Sequence, residues 1–399
     1  MKKIKNAVCL LLCIVYFCLL GACRQDVREP VTLDKIYNGE ILDIRMKYVK
    51  AYLEAETEKD QIEALQDYHV SVGWDASIPI SVWWKGNGSE NYTLRLATDK
   101  EMRTSRSYTV DRTEVNYTFE NLIPGMTYYY DISGTKEGDA TPVDSFTIAD
   151  NPVRWITAGG VSNMRDLGGW NTIDGKQVKY GLIYRGGMLN GYKNGPKITE
   201  RGRQIFVEYL NMRSEIDLRN DSDNGGQQGC AWGGGIYNRW SLSAYDSISK
   251  YSGRYSAANV ETLRNVFAFL SNENNYPVYI HCNWGADRTG TLAYLINGLL
   301  GVAYENLVKD FELTTFSPSG ARYRSAIEDG KFSNTGIMRN DSGNYVAFGR
   351  MNDIFTTYYQ AREISLASAI EKYLIEDVGV TQTQIDNIKK IMLTERQVY

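Results

Sequence analysis

Cys282 and Arg288 are separated by five residues in the run His281-Cys282-Asn283-Trp284-Gly285-Ala286-Asp287-Arg288-Thr289-Gly290. The apolar stretch before them reads as a strand and Arg288 to Leu300 as a helix, so the segment is a strand, a short loop and a helix start. Backbone N–H groups of such a loop and of the helix N-terminus surround one point, which makes an anion site with a favourable dipole. A thiol held there is drawn below its free pKa of about 8.5, because the N–H groups and the guanidinium stabilise the thiolate. Cys282 is therefore expected to be a nucleophile near neutral pH. Arg288 presents a planar fork to two oxygens of a phosphoryl group, a geometry that lysine cannot copy. The Thr289 hydroxyl can hydrogen-bond the sulfur and ease its departure in a second step.

The rest of the composition narrows the chemistry. The chain has 399 residues with Lys+Arg 44 against Asp+Glu 48, a formal net charge of -4 that excludes the basic excess of a nucleic-acid binder. Only His69 and His281 are histidines, which excludes multi-histidine metal centres and leaves little room for a Ser-His-Asp arrangement. Asp221-Ser-Asp223-Asn-Gly225 has a superficial likeness to a calcium loop but lacks the distal Glu, so no metal is assigned. No metal or organic cofactor is expected.

Lys2, Lys3 and Lys5 precede the apolar run from Ala7 to Leu20, which ends on Leu20-Gly21-Ala22-Cys23. That pattern is a secretory signal, too short for a membrane span of roughly 20 residues. The small residues before Cys23 resemble the lipobox of bacterial lipoproteins, which implies lipidation of Cys23, removal of residues 1–22, and an exported, membrane-anchored protein. An ordinary cleaved signal or an uncleaved anchor is the alternative. With Cys9, Cys13 and Cys18 gone, Cys230 and Cys282 remain as thiols. Two cysteines make no disulfide scaffold. Cys230 reads as a spectator that could pair with Cys282 under oxidation.

Periodicity divides the mature chain. From 23 to 66 it reads as an anchor or spacer with a helical segment, Ile41, Ile44, Tyr48, Ala51 and Ala55 lying at helical spacings. From 67 to 150 the period is two, with seven short strand candidates broken by turns, which predicts an all-β sandwich. Leu122, Pro124, Gly125 and Tyr128 resemble the tyrosine corner of a fibronectin type III domain. His69 reads there as a strand residue. From 151 to 399 short strands such as Ser214 to Leu218 and Val278 to His281 mix with helices near 261–271, 288–300, 304–316, 364–375 and 382–393, which predicts an α/β domain.

The Cys-x5-Arg-Thr segment resembles the signature of cysteine-dependent protein tyrosine phosphatases. Asn163-Met-Arg165-Asp166-Leu-Gly168-Gly169, Tyr184-Arg185-Gly186-Gly187 and Asp217-Leu218-Arg219 are similar to successive motifs of the bacterial tyrosine/phosphoinositide-phosphatase branch. The resemblance covers roughly 153–399 and implies an α/β phosphatase domain in which these motifs meet at the phosphate loop. It assigns supporting contacts with the phosphate to Arg165, Asp166, Arg185 and Arg219, alongside the loop positions His281, Asn283, Trp284, Gly285, Ala286 and Gly290. Plainer roles exist for each. The glycine pairs serve as turns, Arg219 as a partner of Asp217, and Trp284 as a pocket wall. Ala286 stands where phosphoinositide-cleaving relatives often carry lysine, which weakens a lipid substrate.

The resemblance leaves the proton donor to the leaving oxygen open between two aspartates. Asp287 lies in the loop itself, and Asp246 resembles the mobile acid of other tyrosine phosphatases by its place 36 residues before Cys282. Position favours Asp287. The expected function is phosphomonoester hydrolysis through a phosphocysteine, on a phosphoprotein or a small phosphoester. An inositol-phosphate or phosphoinositide phosphatase and a non-catalytic binding lipoprotein are the rivals.

Overall fold

The computed structural model describes residues 30–399, apart from 69–74, 137, 325, 328–330, 333–337, 341–344, 347, 360–363 and 396–399. The signal, Cys23 and His69 lie outside the described residues. Among the described residues no helix is long and apolar enough to cross a membrane.

The chain forms two compact units. The first takes 81–118 and 127–147, together with the chain up to 40. It is rich in antiparallel sheet because its strands alternate buried and exposed positions, as in Ile80–Lys85 and Asn91–Ala97. One sheet orders Thr32–Leu33, Ile80–Lys85 and Asn116–Phe119; in the other, Asp144–Ile148, Thr127–Ser133, Asn91–Ala97 and Arg106–Asp111 are consecutive neighbours. Val82, Trp84, Leu94, Tyr130, Ile132 and Phe146 are fully buried. Gly125 adopts φ +76° in the turn before Thr127–Ser133, where Tyr128 lies buried against the Phe146 ring. Six of the seven expected strands are found among the described residues.

The second unit takes 41–80, 119–126 and 148–399. Its central sheet orders Ile236–Arg239, Ser214–Asp217, Val278–His281, Ile183–Gly186 and Arg165–Asp166, the first four parallel and the last antiparallel. Ser214–Asp217, Val278–His281 and Ile183–Gly186 are buried at every position, as strands covered by helices on both faces must be. The helices Ala257–Leu270, Asp287–Leu299, Tyr304–Glu312, Leu366–Tyr373 and Gln382–Met392 fall within a few residues of their expected positions. The last opens with a capping box between Thr381 and Gln384.

The helical segment near the N-terminus packs by a different face from the one its spacing suggested. In Lys47–Glu54 the buried residues are Val49 and Tyr52, whereas Ile41 lies on the short strand Glu40–Leu42 and is 71% exposed. Val49, Tyr52 and Leu65 belong to the same apolar core as the phosphate-loop strand. The Tyr52 hydroxyl donates to Glu312 Oε2 at 2.6 Å, and Arg324 joins Glu312 to Gln61. The segment is thus built into the second unit by a buried polar chain, which its own residues could not reveal.

Candidate active site

Val278–His281 is the middle strand of the sheet and delivers Cys282 to its carboxyl end, where open α/β sheets place their ligands. The helix Asp287–Leu299 starts five residues further on. Between them Gly285 takes φ +67°, and a Cβ there would collide with the Gly186 backbone, so only glycine lets the loop pass so close.

The loop is held open by its carbonyls. The Cys282 carbonyl meets His281 Nδ1 at 3.1 Å and that of Asn283 accepts from the Met188 N–H at 3.0 Å. The Trp284 carbonyl accepts from Asn163 Nδ2 at 3.1 Å and Ser319 Oγ at 2.8 Å. The Gly285 carbonyl accepts from Arg185 at 2.7 Å, and the Ala286 carbonyl from the Gly290 N–H at 2.8 Å. Every carbonyl from 282 to 286 is therefore engaged by the protein, and planar trans peptides turn the intervening N–H groups the other way. This is a nest of donors around one anion-sized point.

Cys282 is 4% exposed. Burial alone would raise its pKa, but the Arg288 charge and hydrogen bonds from the side chain and backbone of Thr289 outweigh it, so the thiol titrates below its ordinary value. The Thr289 hydroxyl is buried next to the sulfur, whose thiolate it stabilises, and has no partner elsewhere among the described residues. Arg288 sits at the helix start, its side chain 19% exposed. Trp284 is 41% exposed, a wall beside the cysteine loop.

His281 lies beneath the loop, between a carboxylate and a loop carbonyl. It is fully buried, with Nε2 at 2.9 Å from Glu215 Oε1 and Nδ1 on the Cys282 carbonyl. Burial opposes its charge, yet the Asp217 and Glu215 carboxylates raise its pKa. An imidazolium can donate from both nitrogens, which is what a carboxylate on one side and a carbonyl on the other require.

The four supporting residues are buried and each is bonded to other groups of the protein, although Arg185 Nε is left without a partner among the described residues. Arg165 Nε and Arg185 NH1 share Asp310, at 3.0 and 2.5 Å, while Arg185 NH2 holds the loop carbonyls. Arg219 makes a forked pair with Asp217, both arms at 2.8 Å, and gives its remaining donors to Asn190 and Gln227. Asp166 takes Arg154 at 3.1 Å and the Gly168 and Gly181 N–H groups. Of these side chains, Arg185 bonds the cysteine loop directly, and the others are engaged by the network around it. Gly290 is likewise a packing glycine, since a Cβ would press on the Phe311 ring at 2.9 Å.

Asp310 had no signature in the sequence, yet it binds both arginines. Burial raises its pKa, but the Arg185 and Arg165 charges overcome that and hold it below the usual carboxylate range. A depressed folded pKa gives stability that is present above the unfolded value of about 4 and is lost as pH falls through the folded one. Asp310→Asn leaves two buried cations without their shared counter-charge and is expected to cost about 3–5 kcal/mol. The change in urea midpoint at neutral pH measures this, and it should shrink as pH is lowered towards the acid transition.

The two proposed acids are placed differently from expectation. Asp287 receives a forked pair from Arg322, at 2.8 and 3.1 Å, and the Tyr245 hydroxyl. Burial pushes it up, but the Arg322 bonds and charge bring it below the usual range, the wrong direction for a proton donor. Asp246 is 1% exposed and held by Ser252 at 2.8 Å, Arg254 at 3.3 Å and Arg350 at 3.5 Å. It lines a cleft with Tyr251 and Tyr358 whose walls include none of residues 281–290. Arg322 and Arg350 lie far along the chain from the acids they hold, so neither pairing was visible in local sequence. The aspartate that does meet the loop is Asp223, whose Oδ2 takes Arg288 at 2.8 Å and Asn283 Nδ2 at 3.1 Å. Cys230 is pushed up to about 12 by burial and the Glu215 charge, the state of an unreactive thiol.

Fold and loop together define a mixed α/β protein whose central strand ends on a thiol within the influence of an arginine charge. The chain belongs to the tyrosine phosphatase family, whose model matches residues 156–394. Among solved structures it is similar to the core catalytic domain of the PP-IP phosphatase SIW14 from S. cerevisiae, at 18% identity over 34% of this chain and 72% of that one, with a TM-score of 0.25. It is also similar to the chicken CNTN1 FN1–FN3 domains, at 23% identity over 20% of this chain and 29% of that one, TM-score 0.16. The fn3 domain of human contactin 1 matches at 22% identity over 21% of this chain and 75% of that one, TM-score 0.17. No curated protein matches the sequence.

Proposed function

We propose that the protein hydrolyses phosphomonoesters, with phosphotyrosine in proteins or peptides as its substrate class, through a phosphocysteine on Cys282. The observation that carries this is the loop in which the carbonyls from 282 to 286 all bond outward around a thiol of lowered pKa. The thiolate attacks phosphorus while the ester oxygen departs with the bonding pair and takes up a proton. Water then attacks phosphorus and returns the pair to sulfur, as the Thr289 hydroxyl stabilises the emerging thiolate. Arg288 and the loop N–H groups hold the equatorial oxygens in both steps. Ala286 places no second cation in the loop, which favours a single phosphate over a polyphosphorylated inositol. Release of inorganic phosphate from phosphotyrosine peptides, inositol phosphates and phosphoinositide vesicles tests the reading. Preference for either inositol class would replace the substrate, and no release from any would return the protein to the binding class.

The N-terminal pattern supports an exported lipoprotein anchored to a bacterial membrane through Cys23, so that its phosphorylated partners lie outside the cytoplasm. Mass spectrometry of the mature N-terminus should show a diacylated Cys23; a free terminus elsewhere would overturn the anchor.

A further inference from the structure

Arg288 carries a second negative partner. Besides the thiol side, its NH1 donates to Asp223 Oδ2 at 2.8 Å, and the same oxygen accepts from Asn283 Nδ2 at 3.1 Å. Asp223 has not swung there from a loose surface segment. Its Oδ1 accepts from the Asn220 N–H at 2.7 Å, which folds the turn around the carboxylate. Asn190 holds the Asn224 carbonyl at 2.8 Å and Tyr192 the Ser222 carbonyl at 3.2 Å. Gln227 ties the end of the turn to Glu215 at 2.5 Å and Arg219 at 3.0 Å, two members of the buried network under the cysteine loop. The other charges of the turn are spoken for, Asp221 on Arg239 and Arg219 on Asp217.

A carboxylate on a guanidinium fork is the same kind of partner as two phosphoryl oxygens. The donors Asp223 occupies are one from Arg288 and one from Asn283, both bordering the nest. We infer that Asp223 is an internal competitor for the phosphate site, which an incoming dianion displaces and which returns to Arg288 to expel the inorganic phosphate left by hydrolysis. The inference rests on the phosphatase reading only for the identity of that product. An anion entering the nest gains Arg288 and Asn283 but gives up the bond between them and Asp223, so its net affinity is lower than the donors alone would provide. Low affinity for free product is what a hydrolase that must turn over needs.

The opposite role is equally concrete: Asp223 could brace Arg288 in the geometry that receives phosphate. Calorimetric titration of inorganic phosphate and of sulfate into the full-length protein, at constant ionic strength, separates the two. Asp223→Asn keeps the shape and removes the charge, and is expected to bind both anions about tenfold more tightly, with stronger product inhibition to match. Asp223→Ser should do the same, and an unchanged thermal midpoint in either variant shows that the fold is kept. Unchanged or weaker anion binding in the folded variants would overturn the inference. Because sulfate binding needs no turnover, tighter binding in a protein that released no phosphate would sink the phosphatase reading and leave the competitor standing.

Discussion

Cys282→Ser is expected to lower phosphate release by at least about a thousandfold, with binding of phosphate retained. The donors of the site do not come from the sulfur: they are loop N–H groups, Arg288 and Thr289, and the carbonyls that orient the loop are held by Arg185, Asn163 and Met188. What changes is the nucleophile. A nest that draws a thiol below its usual value leaves a hydroxyl, which starts far higher, unionised at neutral pH. The sign of the pH dependence follows. The thiolate exists above the Cys282 pKa, so lowering that pKa moves the acid limb of the rate, and of alkylation by iodoacetate, to lower pH than for a free thiol. Both limbs should vanish together in the serine variant. Turnover at the wild-type level would sink the covalent mechanism, and an alkylation midpoint at or above about 8.5 would remove its electrostatic basis.

Arg288→Lys is expected to lower kcat by about a hundredfold to a thousandfold while KM changes much less. Lysine keeps the charge, so ground-state attraction for a dianion survives. It loses the planar fork, and two equatorial oxygens moving into the transition state can no longer be met by two fixed donors. The Arg288 charge is the largest influence opposing burial of the sulfur, so Arg288→Met, which removes it, should shift iodoacetate alkylation of Cys282 to higher pH, whereas Arg288→Lys should leave it near the wild-type position. A loss confined to KM would assign Arg288 to binding alone.

The sequence is most legible where the arrangement is local. Cys282 and the glycine at 285 lie on the loop, Arg288 and Thr289 on the first turn of the helix that follows it, and that helix and the strand before the loop follow from apolar runs. Their spacing determines that a thiol, a fork and a hydroxyl must meet, whatever the rest of the chain does. The regular helices were legible for the same reason, since 3.6-residue periodicity and a capping pair such as Thr381 and Gln384 are short-range signals.

Tertiary structure decided what each supporting charge does. The family resemblance implied phosphate contacts for Arg165 and Arg185, and in the structure Asp310, 125 residues beyond Arg185, binds both. His281 adjoins the nucleophile in sequence, yet strand alternation turns it inward onto Glu215, 66 residues away. Asp287 was favoured as the acid by position, and Arg322 holds it ionised. Asp223, passed over as an incomplete calcium loop, is the carboxylate that reaches Arg288. The physical reason is common to all five. A buried or half-buried charge takes its role from the counter-charge that desolvation forces it to find, and that partner is chosen by packing across the chain. The sequence by itself places the thiol and the arginine around one short loop; the tertiary structure alone decides which charges hold that loop and which carboxylate meets its arginine.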